Sequence, residues 1–408
     1  MAAMLTLEQA QAEILGAIRR ADARETVTLD RASGRYLAEA ARARVDHPAF
    51  DNSAMDGYAL RAADLAGAGF VLPVRGASSC GDAPGRLDPG AAMRIFTGAP
   101  LPEGADTIVI QENAVREGDR VRVPETTKSL QHLRRAGEDF RAGETLYEPG
   151  RRLMPADLSV LATAGVDRVQ VCAPARALVI STGNELTEPG AALAPGRIYE
   201  SNRLATLVQL RALGVDAVDG GIARDDARSL RDALIAAGEY DFVVTSGGAS
   251  VGEHDIVRDV IGELGEIRLW KVRVKPGKPV AFGRIGSRAH FFALPGNPVS
   301  SLVTFKLFVE PAVRVWHHGT AACVELTARA AAAYRRRPDR TEFLRARLYV
   351  ENGVLHAEAL KGQGSHMIGA LRHTNGLIRI EAESEGFAAG ESLRVLPLTL
   401  EGWGRAIV

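Results

Sequence analysis

The chain has 408 residues, 46% of them hydrophobic and 25% charged, with fifty acidic side chains balanced by fifty basic ones. That length exceeds what one hydrophobic core supports, so roughly two to four domains are expected. The zero balance gives no global field to draw nucleic acid or an anionic membrane, and no apolar run is long enough to span a bilayer. Three widely spaced cysteines, Cys80, Cys172 and Cys323, form neither a disulfide framework nor a C-x-x-C metal knuckle, which fits a reducing, cytoplasmic setting.

In chain order, the first twenty residues space Leu5, Leu7, Ile14, Leu15 and Ile18 as an amphipathic helix, without the unbroken apolar core of a signal peptide. Between Asp46 and Asp139, short β-prone pieces such as "FVLPVRG", "MRIFTG", "DTIVIQE" and "RVRVPE" alternate with glycine and proline turns, as a small β-rich module would. The stretches on either side of it suggest one elongated α+β domain, residues 1–45 and 138–174, into which the module (46–137) is inserted. From Ala177 to Trp316 short apolar runs alternate with helical ones: "ALVIST", "SNRLATLVQLRALG", "VDAVDGGI", "DDARSLRDALIAAG", "YDFVVT", "HDIVRDVIGELG", "HFFALP" and "PVSSLVTFKLFVEPAVRVW". This predicts a three-layer α/β/α domain over 175–324 with a mostly parallel sheet, whose ligands gather beyond the carboxyl ends of the strands. After residue 325, period-two alternation predicts a C-terminal β-barrel-like domain (325–408), and the arginine-rich stretch from Arg335 to Arg340 reads as a solvated interdomain turn.

The candidate chemistry lies in the loops. "TSGGASVGEHD", from Thr245, spells the G-x-S-x-G of a hydrolase nucleophile elbow, but Ser250 stands five residues past the strand and no HGGG-type oxyanion segment precedes it. An anion cradle uses more of the stretch: main-chain N–H groups of Ser246, Gly247 and Gly248, the Ser250 hydroxyl, and Glu253 and Asp255 beside them for Mg²⁺ on a phosphate. A plain tight βα turn is the structural alternative. "KVRVKPGKPVAFG" sets Lys271, Lys275 and Lys278 on a turn stiffened by two prolines, either an oxyanion loop or a solvated basic turn. "FFALPGNPVSSL" ends a strand at Pro295 and Asn297, where Ser300 and Ser301 donate to an anion or simply cap the next helix. "DHPAFDNSAMDGYAL" gathers Asp46, Asp51 and Asp56 in one turn, Glu185 follows the first α/β strand, and Asp225 and Asp226 precede a helix that either of them suits as N-cap.

Taken together, "FDNSAMDGYAL", "RIFTGAPLPEGADTIVIQE", "GEDF", "STGNEL", "YESN", "TSGGASVGEHD", "VKPGKPVAFG" and "LPGNPVSS" resemble, in register and over essentially the whole chain, the MoeA family of molybdopterin molybdenumtransferases, which includes the E domain of gephyrin. The resemblance implies a four-domain homodimer that inserts molybdate into the dithiolene of adenylylated molybdopterin, releasing AMP with help from Mg²⁺. It implies that Asp56 and Thr97 face the partner subunit's α/β domain. Glu185, Asp225, Ser250 and Asp255 would line the nucleotide and metal region, with Asp56 joining the three acids in catalysis and Glu185, Asp225 and Asp255 holding the metal. Lys271, Lys275 and Lys278 would meet phosphate or molybdate, and Arg345 and Ser365 would complete the oxyanion pocket. One departure stands out: where the family often reads Gly-Ser-Gly and a further serine, this chain has His366 and Gly369. Two other functions fit such a chain. One is a molybdopterin adenylyltransferase, proteins of which the α/β unit also resembles; the other is a non-catalytic scaffold of the gephyrin E-domain type. Molybdopterin adenylyltransferase and molybdoenzyme maturation proteins are the implied protein partners.

Overall fold

The computed structural model describes residues 4–235, 237–247, 256–269 and 271–399. The chain forms two compact units, one comprising Met1–Glu25, Gly34–Ala38 and Val171–Val408, the other Thr26–Ser33 and Glu39–Gln170.

In the larger unit, helix α1 (Leu7–Ala17) opens with a reciprocal cap in which the Thr6 hydroxyl accepts from Gln9 N and the Gln9 amide oxygen accepts from Thr6 N. Its apolar stripe buries Leu7, Ala10 and Ile14 in the same core as Phe305, Leu307 and Val309.

The second unit holds a six-stranded sheet of β1 (Gly57–Leu60), β2 (Val71–Ser78), β3 (Ala92–Ile95), β4 (Thr107–Ile110), β5 (Val115–Glu117) and β6 (Arg120–Arg122), in the order β4-β1-β3-β2-β6-β5. Tyr58, Leu60, Leu72, Val109 and Val121 form its core. The β-rich character expected from the glycine and proline punctuation is what the chain adopts there.

The α/β body of the larger unit follows the predicted alternation: β7 (Arg176–Thr182), α2 (Asn202–Ala212), β8 (Asp216–Ala223), α3 (Ala227–Leu234), β9 (Phe242–Ser246), α4 (Ile256–Leu264), β10 (Gly265–Leu269), β11 (Ala281–Ile285), β12 (Ala289–Leu294), α5 (Pro298–Thr304), a π-helical turn (Phe305–Val309) and α6 (Glu310–Trp316). The sheet order is β8-β7-β9-β12-β11-β10, parallel across the first four strands and antiparallel at β12-β11-β10. All residues of β9 and β12 are buried, as expected for strands covered on both faces. From β7 the chain crosses to β8 on one side and then returns to β9 on the other. The carboxyl ends of β7 and β9 therefore diverge at a topological switch point, the place where open α/β sheets bind ligands. The antiparallel pair β10 and β11 escaped the sequence reading, because the lysines and prolines between them dominate that stretch.

The C-terminal part closes into a five-stranded barrel: β13 (Leu326–Ala330), β14 (Thr341–Glu351), β15 (Val354–Ala359), β16 (Gly376–Ile380) and β17 (Ser392–Pro397), in the order β14-β15-β13-β17-β16, with β16 pairing back onto β14. Closure leaves no open edge in the ring. Leu344, Ala346, Leu348, Ile378 and Val395 fill it. Arg336 is not part of a solvated turn: its side chain is 5% exposed, pairs with the buried Glu342 and donates to the Arg340 and Ala382 carbonyls. Among the described residues no helix is long and apolar enough to cross a membrane.

Candidate functional site

A cleft of about 590 Å³ opens at the switch point. Its walls come from the ends of β7 (Thr182, Glu185), β8 (Arg224, Asp225), β9 (Ser246, Gly247) and β12 (Pro295, Gly296, Asn297), with Glu200, Ser201 and Asn202 at the entry to α2. The sheet topology thus assembles loops that are more than a hundred residues apart in sequence.

Gly247 is obligatory on two counts. Its φ is +95°, and a Cβ there would lie 2.4 Å from the Thr182 carbonyl oxygen. Its N–H donates to Leu294 O at 3.1 Å, so it is not the free anion donor expected from the sequence; what it contributes is close approach of two strand ends. Ser246 is likewise a buried member of the sheet ladder. Gly248, Ser250, Glu253 and Asp255 lie outside the described residues.

Asp225 and Asp226 divide the two roles that their position offered. Asp226 caps α3, accepting from Ser229 N at 2.7 Å and Ser229 Oγ at 2.8 Å, and these bonds hold its carboxyl below the usual carboxylate range. That leaves the exposed Asp225 carboxylate on the cleft wall, while its N–H approaches the Asn184 side-chain oxygen at 3.4 Å. Glu185 is exposed too and folds back over Gly183, where an added Cβ would meet its Oε2 at 2.7 Å.

The remaining candidates in this unit divide differently. Asn297 occupies the N-cap of α5 and Pro298 its first turn, so Ser300 and Ser301 are not the caps; both are buried inside that turn. Lys275 Nζ pairs with Glu342 Oε1 at 2.8 Å, alongside the ladder register that sets Lys275 opposite Glu342. Lys278 is exposed and Lys271 half-buried, and none of the three lysines lines the cleft, whereas Pro279 does. Gly277 (φ +117°) lets this loop pack on α5, since a Cβ would strike Thr304 Cγ2 at 2.4 Å.

Arg345 is only 1% exposed. Its guanidinium donates to the carbonyls of Gly362 (2.5 Å), Gly364 (3.1 Å) and Met367 (2.9 Å), and burial pulls its pKa below the usual guanidinium value. It therefore orders the loop carrying the half-buried Ser365 rather than standing open to an oxyanion.

In the second unit, Asp56 Oδ1 accepts from Thr97 N at 2.7 Å and Thr97 Oγ1 at 2.8 Å. These two bonds, the N–H one foremost, with the nearby Arg94 charge, hold the Asp56 carboxyl below the usual carboxylate range. The Asp56 carbonyl accepts from Gln111 N at 3.0 Å, and Arg94 lies over the rings of Tyr58 and Phe96 while donating to Gly57 O and Gln111 Oε1. Asp46 and Asp51, by contrast, tie distant segments of the chain together, accepting from Ala142 N and Ala136 N.

Comparison with known proteins follows this layout. Three family models match in succession: "MoeA N-terminal region (domain I and II)" over residues 5–165, "Probable molybdopterin binding domain" over 178–315 and "MoeA C-terminal region (domain IV)" over 327–398. A molybdopterin molybdenumtransferase of Haemophilus influenzae is 36% identical, covering 97% of this chain and 98% of that one. The chain belongs to the MoeA family. Molybdopterin molybdenumtransferase 2 of Mycobacterium tuberculosis is also 36% identical, over 92% of this chain and 95% of its own length. The crystal structure of the molybdopterin biosynthesis MoeA protein from Pyrococcus horikoshii OT3 superposes with a TM-score of 0.83 at 28% identity, over 97% of this chain and all of that one. The fold of this MoeA-family chain, barrel included, is thus the multidomain α/β architecture expected from its motifs.

The acidic wall tests whether Mg²⁺ suits the cleft. Among the described residues no three His, Cys, Asp or Glu side chains cluster as a complete metal cage. Mg²⁺ does not need one, since it is held by one or two carboxylates, waters and substrate phosphates. Glu185 and Asp225, exposed carboxylates that both line the cleft, fit that requirement.

Proposed function

We propose that this MoeA-family chain is a molybdopterin molybdenumtransferase that inserts molybdate into the dithiolene of adenylylated molybdopterin and releases AMP. The observation that carries the reading is the switch-point cleft, where Asp225 is left on the wall by the capping role of Asp226 and Gly247 brings two strand ends together. The nucleotide half of the substrate enters this cleft. Glu185 and Asp225, with Asp255 beyond the described residues, would hold Mg²⁺, which when bound supplies charge neutralisation on the phosphates. The exposed Lys278 and the half-buried Lys271 offer ammonium groups to an oxyanion, while Lys275 and Arg345 act by fixing the loops on either side. Asp56, ionised and held by Thr97, belongs to the same reaction across a homodimer, where it faces the α/β cleft of a second copy. We further propose the cytoplasm as its setting and molybdopterin adenylyltransferase as the supplier of its substrate.

A deletion strain lacking molybdenum cofactor synthesis provides the test. Rescue by this chain, and partial rescue by high molybdate alone, is the expected pattern; a strain rescued equally by Asp56→Ala would remove the site assignment. Consumption of ATP with molybdopterin alone would instead favour adenylyl transfer, and binding of partner proteins without rescue would favour a scaffold.

A further inference from the structure

Strands β1 and β3 pair in register from Ala59 opposite Met93 to Gly57 opposite Ile95, and there the ladder between them ends. Asp56 and Thr97 lie just beyond this last rung, where the two bonds to Asp56 Oδ1 take the place of main-chain pairing. Arg94, opposite Tyr58 one rung inside, reaches the same end. Its Nη1 donates to Gly57 O at 3.2 Å and its Nη2 to Gln111 Oε1 at 2.5 Å, while the Gln111 N–H donates to Asp56 O at 3.0 Å. Its guanidinium carbon stands 5.0 Å from the centroid of the Phe96 ring and 5.1 Å from that of Tyr58. Arg94 therefore grips the chain beside both members of the Asp56–Thr97 unit, through Gly57 and Gln111 on the aspartate side and Phe96 on the threonine side. Both of its acceptors are neutral, and the Thr97 bonds, joined by the Arg94 charge, hold the Asp56 carboxyl below the usual carboxylate range.

We propose that Arg94 is a positioning residue for the Asp56 carboxylate, a clamp on the strand ends that carry Asp56 and Thr97. The assignment rests on Asp56 taking part in molybdate insertion, as proposed above. The clamp calls for arginine in particular. A guanidinium is planar, donates along a rigid fork and stacks on aromatic faces, so one side chain bonds two acceptors while lying against two rings. An ammonium carries the same charge as a point, without the fork or the flat face. A reacting group displaced by about 1 Å can lose as much as a hundredfold in rate, so a loosened clamp shows in kcat.

Steady-state cofactor formation by the full-length protein, from adenylylated molybdopterin and molybdate, tests it. Arg94→Met keeps an apolar stem over the rings and removes the fork, whereas Arg94→Lys keeps the charge. Both are expected to lower kcat about tenfold, with KM unchanged to within about twofold. Arg94→Lys at the wild-type kcat would show that charge alone suffices and would overturn the clamp. Combined with Thr97→Val, Arg94→Met is expected to fall well short of the product of the two single losses, since both act through one carboxylate; losses that multiply overturn the proposal. Variants with a lowered urea midpoint and the wild-type kcat overturn it too, leaving Arg94 a purely structural residue. Gln111→Leu keeps the N–H bond to Asp56 O and removes an Arg94 acceptor on an exposed side chain, and is expected to lower kcat roughly threefold. It decides the matter if neither Arg94 variant folds, the wild-type kcat then overturning the clamp. Asp56→Ala at the wild-type kcat would instead remove Asp56 from the reaction, and with it the ground for this assignment, whatever the Arg94 variants do.

Discussion

Asp56 Oδ1 receives both the backbone N–H and the hydroxyl of Thr97, at 2.7 and 2.8 Å, so two residues 41 positions apart act as one unit. The pair sits at the end of β3 beside the turn into β1, and Gly57 is confined there because a Cβ would lie 2.0 Å from Val109 O. Thr97→Val keeps the N–H bond and removes the hydroxyl. It is expected to lower cofactor formation about tenfold, whereas Asp56→Ala abolishes it. Rates at saturating substrate, with circular dichroism to confirm folding, check this; equal rates for Thr97→Val and wild type would mean the hydroxyl has no part in setting the carboxylate.

The neighbours Asp225 and Asp226 make an internal control. Asp226→Ala removes the α3 cap and is expected to lower the urea midpoint, leaving the folded enzyme active. Asp225→Ala is expected to do the reverse, with an unchanged urea midpoint and lost activity. Identical phenotypes for the two would contradict the division of roles drawn from the cap geometry.

Gly247→Ala places a methyl group against Thr182 O and forces an L residue to φ +95°. A loss of about 1–3 kcal/mol in stability is expected, together with loss of nucleotide binding. Gly286→Ala is a useful comparison, since its φ is also positive at +58° but nothing lies within 4 Å of its added Cβ. Denaturation curves of the two variants separate backbone strain from steric collision.

His290 gives the fold a pH dependence of its own. Buried between Phe242 and Phe282, it accepts from Arg19 N at Nε2, and burial, reinforced by the charges of Arg284, Arg19 and Arg268 against that of Asp241, lowers its pKa from 6.5 to about 4. Above pH 6.5 the ring is neutral in folded and unfolded chains alike and makes stability no steeper. Between pH 6.5 and 4 only the unfolded chain takes up the proton, so stability falls as pH drops, by up to about 3 kcal/mol from this group. Urea midpoints measured from pH 7 to 4 should decline less steeply for His290→Gln than for wild type. Parallel declines would show that His290 is not the group responsible.

Much of this fold is legible in the sequence because its signals are local. The alternation from Ala177 to Trp316 translates into β7 to α6 nearly element for element, since each strand is a short apolar run and each helix carries a stripe. Strands β10 and β11 were missed because "EIRLW" and "VAFG" flank a loop whose lysines and prolines speak for a turn. At the site, motif spelling finds Glu185, Asp225 and Gly247 but not what each does. Nothing in "RDDA" tells which aspartate caps, and nothing in "KPGKP" shows that Lys275 pairs with Glu342, a partner 67 residues further along the chain. Arg345 looks like an anion ligand in sequence, and only its three carbonyl partners reveal a buried loop anchor.

Incubating the purified protein with adenylylated molybdopterin and molybdate, and measuring active cofactor and AMP together, tests molybdate insertion itself. Wild-type protein is expected to form both in equal amounts, and Asp56→Ala, still folded, to form neither. Wild-type protein that yields no cofactor, or an Asp56→Ala variant that yields as much as wild type, would contradict it.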